Sequence, residues 1–558
     1  MENPLVIVSI GIILIGYMVY HAFTKNKKKL KKFREEWETG NYLAPSENFE
    51  TVSSYWRNKK SNAVSYDGVD QLTSDDLAMD EVFKKINYTQ STVGSEYLFN
   101  KLRDLDPALE QVQENEALYR LLSDDQKLRE EVLLTLSSLG KRNHTNSSSF
   151  FYGLNDKKLN HAYMYGLLGF MPIAAIILMF FSLKYGIGLF FASFLINTVI
   201  YYRNKSTLEN DLYAITYVAS VINIGKQFAS SKQPAFTMYA MKFKENVKSI
   251  KKVSIFSKLF PSGSGGEFDF IVDYIRILFM LEFIAYNKIV QTLVKNKDEY
   301  RNVWEQIGKL DAAIAVAFFR NSLDTYCTPS FTDREELSFE KLAHPLINEP
   351  IRNTSLLGKS TLITGSNASG KSTYIKAIAL NAILAQTINT VLADKFTMKP
   401  SYIVTSMAIQ DSLLDGDSYF IAEIKSLKRI LRIIDGGKPC LSFIDEILKG
   451  TNTIERIAAS AAMMEWLASN KGMNIIASHD IELTEMAASA YTNYHFRESI
   501  ENGKVLFDYT VHPGPSETRN AIKLLEILGY PESVTDKANT LAQNFTRRRE
   551  WEAIGVVK

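Results

Sequence analysis

Residues 361–377 read TLITGSNASGKSTYIKA, and the stretch 365–372, GSNASGKS, satisfies the pattern G-x-x-x-x-G-K-[ST] in full. No other feature constrains the fold of this chain as tightly. The largely apolar STLIT before the motif predicts a buried strand, and TYIKAIALNAILAQ after it predicts a helix, the context in which such a loop grips phosphate. Gly365 and Gly370 permit backbone angles that aim successive N–H groups at phosphate oxygens, backed by the positive end of the helix dipole. Lys371 is placed to reach the β- and γ-phosphates of ATP, and Ser372 to ligate Mg²⁺. A chance match is the alternative in a chain of 558 residues; the flanking strand and helix argue against it.

Two later segments supply what the loop lacks. CLSFIDE, 440–446, is a mostly apolar strand ending in two carboxylates. Asp445 suits the Mg²⁺ shell and Glu446 suits polarising an attacking water. MNIIASHD, 473–480, reads as a further strand that ends near His479, where an imidazole would meet the γ-phosphate. Between loop and carboxylates lies DSLLDGDSYFIAE, 411–423, which by composition is only a polar turn leading into a helix.

Taken together these blocks resemble the ATPase domain of the MutS family of DNA mismatch-repair proteins, a branch of the ABC-type ATPases. TGSNASGKSTYIKAIAL resembles the family's T-G-P-N-M-G-G-K-S-T-Y loop, FIDEILKGTNTIE its M-D-E-I-G-R-G-T-S-T-x-D block, and IIASHDIEL its F-A-T-H-Y-x-E-L block. QDSLLDGDSYFIAE resembles D-D-L-A-S-G-R-S-T-F-x-x-E, with Asp417 in place of the arginine. The resemblance implies nucleotide binding by Gly365, Asn367, Ser369, Gly370, Lys371, Ser372 and Thr373, with Ser372 and Asp445 on the metal. It implies catalysis by Glu446 and His479, completed by Ser418 from a second subunit, with Thr451 and Thr453 in the segment facing that subunit. A homodimer closing around DNA follows from the same resemblance. Two family features have no counterpart. Fewer than sixty residues separate the apolar run 5–23 from the core-like segment LAMDEVFKKINYTQSTVGSEYLFNKLRDL, against the ~100 that a mismatch-reading domain needs. Phe33-Arg34-Glu35 fits the family's Phe-x-Glu wedge but sits in the charged tract just after that run, and is read as a coincidental match. No aromatic in NEPIRNTSLLGKS replaces the residue that stacks on adenine.

The remainder of the chain points to a lipid bilayer. Residues 5–23, LVIVSIGIILIGYMVYHAF, carry no acid, lysine or arginine and nearly match a hydrocarbon core in length. Glu2 precedes the run, KNKKKLKK follows it, and nothing resembles an A-x-A cleavage site, so an uncleaved anchor is expected in place of a signal peptide. Residues 161–202 carry one charged residue, Lys184, and divide at SLKYGIG into two helices, with basic residues at both ends. A third apolar stretch, 268–294, contains Asp273, Arg276, Glu282 and Lys288, each costing about 2.5 kcal/mol or more near a bilayer centre. It is read as one long packed helix. Three crossings put the N-terminus outside and the ATPase domain in the cytoplasm.

Whole-chain charge is unremarkable at +2, and two cysteines, Cys327 and Cys440, cannot build a disulfide framework or a four-thiolate zinc site. Residues 226–252 hold seven lysines against one acid, with Phe236, Tyr239 and Phe243 interleaved. DNA phosphates, anionic lipid or plain solvent all suit that face. The expected architecture is an α/β P-loop domain of ABC type at the C-terminus, an all-α core and lever domain before it, and transmembrane helices. Its parts are an anchor (1–24), a juxtamembrane segment (25–74), the first part of the helical core (75–155), a membrane hairpin (161–202), a core and lever region (206–330) and the ATPase domain (338–545). Two functions fit: a membrane-anchored ATPase clamping mismatched or branched DNA, or an ABC-type machine that remodels membrane or drives transport without DNA.

Overall fold

A computed structural model of the protein describes residues 24–63, 68–105, 110–143, 147–159, 161–260, 269–366, 369–407, 419–501, 504–516, 521–548 and 550–551. The apolar run 5–23, Asn367, Ser418 and the PSGSGG stretch lie outside the described residues. The chain forms two compact units. One comprises residues 1–66, 83–104 and 110–324; the other comprises 67–82, 105–109 and 325–558.

The first unit is helical and is organised by the helix Lys297–Asn321. Asp298 and Glu299 in its first turn and Arg320 in its last match the helix dipole. Its second half is buried on nearly every side, from Leu310 to Arg320. The shorter helix Thr92–Lys101 is pinned to it by Asp311. That fully buried carboxylate accepts hydrogen bonds from the Gln90 and Ser91 backbone N–H groups (2.8 and 2.9 Å) and from Ser91 Oγ (2.6 Å). Gly94 lets the two helices approach, since a Cβ there would stand 2.1 Å from Asp311 Oδ2. The helix over 24–39 carries Phe33, which is buried, and Arg34, which pairs with Glu130 through two hydrogen bonds (2.7 and 2.8 Å). The Phe-Arg-Glu tripeptide therefore has a packing role.

Two helices of this unit, Tyr163–Phe181 and Leu183–Ala229, are long and apolar enough to cross a membrane. They divide at Ser182, within the expected break, and pack closely: a Cβ on Gly186 would fall 2.6 Å from the backbone nitrogen of Met179. Leu167, Phe170, Phe180, Phe191 and Leu195 point outward and are exposed. The second helix does not stop near residue 202. It continues for 47 residues in all, because the Arg203–Asp211 stretch contains no helix breaker. The segment 268–294 also departs from expectation. It is two helices, Asp269–Leu278 and Leu281–Lys295, turned 65° to one another. Met280, in the left-handed region at φ 52°, interrupts the ladder and is fully buried beside Tyr201 and Phe283.

The second unit is α/β. Its strands are β1 (Ser330–Phe331), β2 (Leu337–Leu342), β3 (Asn353–Leu357), β4 (Thr361–Thr364), β5 (Lys395–Met398), β6 (Tyr402–Ser406), β7 (Cys440–Asp445), β8 (Met473–Ala477), β9 (Thr492–His495), β10 (Glu498–Glu501), β11 (Lys504–Phe507) and β12 (His512–Pro513). They build a six-stranded sheet of order β12-β9-β4-β8-β7-β6, a four-stranded sheet β1-β5-β2-β3, and the hairpin β10–β11. In the larger sheet only β12 runs antiparallel. β4 and β8 are buried at every residue, as strands covered on both faces should be. The helix Lys371–Ile388 packs on both sheets: Tyr374 bonds Ser355 (2.8 Å), and Asn381 Nδ2 donates to Ala343 O (2.9 Å). The outer strand β6 is covered by the helix Gln71–Asp76, whose Asp76 carboxylate accepts from Thr405 Oγ1 (2.6 Å) and the Met407 N–H (3.1 Å).

Asp311→Ala would strand two buried N–H groups and a hydroxyl, at a cost of about 2–4 kcal/mol. Its denaturant midpoint should fall accordingly, and Gly94→Val should fall at least as far, for want of space.

Candidate functional site

The parallel register delivers the site. β4, β8 and β7 are neighbours, and each ends in a functional residue at its carboxyl edge. β4 leads into the loop, where Gly365 (φ 138°) and Gly370 (φ 102°) adopt angles open to glycine. Neither tolerates a Cβ. At Gly365 it would lie 2.7 Å from Phe496 O, and at Gly370 3.0 Å from the Tyr509 ring. Ser369 is fully buried and staples the loop from inside, its hydroxyl donating to Ser366 O (2.7 Å). Lys371 lies across the loop, donating to Gly365 O (2.6 Å) and Ser366 O (2.8 Å). Burial pushes its pKa down, and the nearby carboxylates of Glu446 and Asp445 oppose that. Ser372 is half-buried and Thr373 exposed, both in the first turn of the loop helix.

At the end of β7 the chain turns through two non-glycine residues with positive φ, Glu446 (68°) and Leu448 (57°). Such strain persists only where its surroundings hold it. Here the Glu446 N–H donates to Ala477 O (2.9 Å) at the end of β8. The Glu446 carboxylate meets His479 Nδ1 and Lys449 Nζ, each at 3.2 Å. Burial alone would raise its pKa; the His479 hydrogen bond and the Lys449 charge win, and the group falls to about 2. The same hydrogen bond raises His479 above its ordinary value. Asp480 is held by Arg456 through two hydrogen bonds (3.0 and 2.6 Å), fixing the turn that carries His479. Thr451 and Thr453 flank Asn452, which caps the helix Thr453–Ser469, and the adjoining Ile454 is 82% exposed.

Beside the loop lies a cavity of about 250 Å³ that the sequence did not disclose. Gly370, Thr373 and Tyr374 form one wall, and Ile351, His344 and Tyr509 others. Asn353 on β3 holds the Tyr509 turn, donating to Tyr509 O (3.1 Å) and accepting from the Val511 N–H (2.9 Å). An aromatic ring thus enters the cavity wall from residue 509, far from the segment in which an aromatic was sought. The glycine cradle, the loop helix N-terminus and this largely apolar cavity fit a nucleoside triphosphate, and the Ser372 hydroxyl and Asp445 carboxylate are oxygen donors of the kind a hard divalent cation takes.

Among the interleaved residues of 226–252, Phe236 and Phe243 are buried against Phe228 and leave no face for a base. Of the seven lysines, Lys242, Lys244 and Lys248 lie exposed on the helix Thr237–Ile250, and Lys242 pairs with Glu114 (3.2 Å).

Residues 361–546 match the family described as MutS domain V. The chain is 29% identical over 275 residues to the DNA mismatch repair protein MutS of Lactobacillus delbrueckii subsp. bulgaricus, covering 47% of this chain and 32% of that protein. It is 30% identical over 283 residues to that of Lactobacillus johnsonii, covering 48% and 33%. Against Thermus thermophilus MutS it is 28% identical over 264 residues, covering 46% and 32%. The chain spans about a third of the length of the curated relatives it matches. The expected MutS-type ATPase domain is borne out for the C-terminal part, preceded by a largely helical region.

The Glu446–His479 pair yields a pH signature. A depressed carboxylate stabilises above the ordinary carboxylate value, and a raised imidazole stabilises below about pH 6.5, so the contribution is full between them. It is lost as pH rises through the elevated His479 value and as pH falls toward about 2. In a thermal-shift series, His479→Gln should differ most from the parent protein near about pH 5.5 and least at about pH 9.

Proposed function

We propose that this chain is a membrane-tethered, MutS-type ATP hydrolase acting as a homodimer. The observation that carries the reading is the convergence of Lys371, Glu446 and His479 at the ends of three adjacent parallel strands. Lys371 and the N–H groups of the Gly365–Thr373 loop, with Asn367 among them, would hold the phosphates. The Tyr509 ring would carry the base. Ser372 and Asp445 would hold Mg²⁺, which neutralises charge on the phosphates when bound. Glu446, an anion at every physiological pH, would orient the attacking water, and His479 would donate toward the γ-phosphate.

Ser418 would complete the site from the second subunit. It immediately precedes the helix Tyr419–Asp435, whose Phe420 packs on Gly450, and Ile421 and Ile454 are both exposed. Apolar side chains open to water in a segment expected to meet a partner support dimerisation there. Tyr163–Phe181 and the first part of Leu183–Ala229 would cross the bilayer as a hairpin with both ends in the cytoplasm. Residues 5–23 would add an anchor. The helical unit would convert the ATP cycle into opening and closing around a ligand.

DNA is the leading ligand, supported by the name of the relatives and by the lysine-bearing face of 226–252. The outward apolar side chains of the hairpin favour a second reading, in which the same cycle works on the membrane without DNA. Mobility shifts with mismatched, branched and plain duplexes across a salt series separate them. Binding that weakens steeply with salt supports the first, and no shift at low salt supports the second.

Lys371→Ala should abolish nucleotide binding or turnover. Glu446→Gln should bind ATP and fail to hydrolyse it, and full turnover in that variant would remove Glu446 from its role. Tyr509→Ala should weaken ATP binding about five-fold, the loss of about 1 kcal/mol of stacking, with turnover at saturation unchanged. Calorimetric titration and phosphate release measure all three.

A further inference from the structure

The helix Asp269–Leu278 is built inside out for a water-soluble surface. Ile271 and Tyr274 are each 58% exposed, Ile275 is 44% and Val272 39%. On a helical wheel these four and Leu278 share one arc, while Asp273 and Arg276 fall on the other and pair with each other (2.6 Å). A helix at a protein–water boundary buries its apolar arc and wets its polar one. This helix leaves its apolar arc open while Arg276 is covered and Asp273 stays half exposed, as suits a helix seated in lipid with one acid near the interface.

Its position on the hairpin sets its depth. Asn197 donates to Leu278 O (2.7 Å) and to Leu168 O (3.0 Å), so the end of the helix is fastened to both hairpin helices at one level. The contact is close, since a Cβ on Gly169 would stand 2.4 Å from Phe279 O. Asn197 precedes Arg203, the first cation beyond the apolar run, by six residues, about 9 Å along the axis. Tyr274 packs on Phe194, one turn nearer the hairpin tip, so the helix climbs along the hairpin away from its basic end. Arg276 Nη2, in the last turn of the helix, donates to Phe260 O (3.3 Å), so Phe260 lies at the level of the helix's basic end.

We infer that Asp269–Leu278 is a third membrane-embedded element, a half-helix seated in one leaflet, its apolar arc continuous with the lipid-facing surface of the hairpin. The occupant of that face is the acyl region of the bilayer. Beyond the bend at Met280, Leu281–Lys295 is packed inside the helical unit through Phe283, Tyr286, Ile289 and Leu293. A segment held in lipid at one end and in the protein core at the other couples the bilayer to the packing of the helical unit. This rests on the hairpin lying in a membrane, and the test separates the two claims.

The full-length protein, with Cys327 and Cys440 replaced by serine, is reconstituted into phosphatidylcholine–phosphatidylglycerol nanodiscs and labelled with an environment-sensitive fluorophore. The label is placed at single cysteines: Ile271→Cys, Ile275→Cys, Phe191→Cys on the hairpin and Lys244→Cys in water. Quenching by a lipid carrying a nitroxide near its headgroup should be at least two-fold stronger at 271 and 275 than at 244. If 191 is quenched while 271 and 275 match 244, the half-helix is not in lipid and the inference falls, though the membrane reading stands. If 271 and 275 emit as buried probes yet escape the lipid quencher, a protein surface covers them and the inference again falls. If 191 is also unquenched, the membrane reading fails and takes this one with it.

Discussion

The adjacency of β4, β8 and β7 is the constraint from which the rest of the site follows. Parallel neighbours present their carboxyl ends along one line, so a phosphate loop, a carboxylate pair and a histidine from three distant stretches of chain arrive together. Interchange of any two strands would scatter them. The register is held by chemistry as well as by burial: the Glu446 N–H closes on Ala477 O, and the Ser478 N–H closes on Ile363 O. Strand order therefore creates the site, and the strained turn at Glu446 aims it.

Electrostatics gives that arrangement its character. Lys371 is buried with its pKa depressed by desolvation, so an incoming polyanion would restore what water no longer supplies. Glu446 stays ionised because His479 and Lys449 face it, and the low basicity that results suits the proposed role of orienting water. The base cavity is assembled separately, from β3 through Asn353 and from the segment after the β10–β11 hairpin through Tyr509. In the proposed reading, phosphate and base recognition come from different layers of one domain.

Much of this was legible in the chain. The phosphate loop, the carboxylate strand and the histidine strand could be read because each is a short apolar run ending in its functional residue, a purely local pattern. The break in the hairpin was legible for the same reason, at a small polar interruption of an otherwise apolar stretch. What escaped was non-local. Arg203 and Lys205 looked like an end, yet both are good helix formers and the helix runs on to Ala229. The bend at Met280 has no glycine or proline to announce it and is imposed by packing between Tyr201 and Phe283. Tyr509 and Asn353 are 156 residues apart, a pairing no local pattern reveals. The interleaved aromatics of 226–252 looked available for stacking, and helical periodicity places two of them in the core.

The central claim is that a triphosphate is clasped between two copies of this chain. Mass photometry of the full-length protein in detergent, with and without ATP and Mg²⁺, tests it most directly. The account predicts that the two-copy mass gains population when ATP and Mg²⁺ are added and that Glu446→Gln holds it there. A one-copy mass under every condition, in a sample that binds ATP, would contradict it.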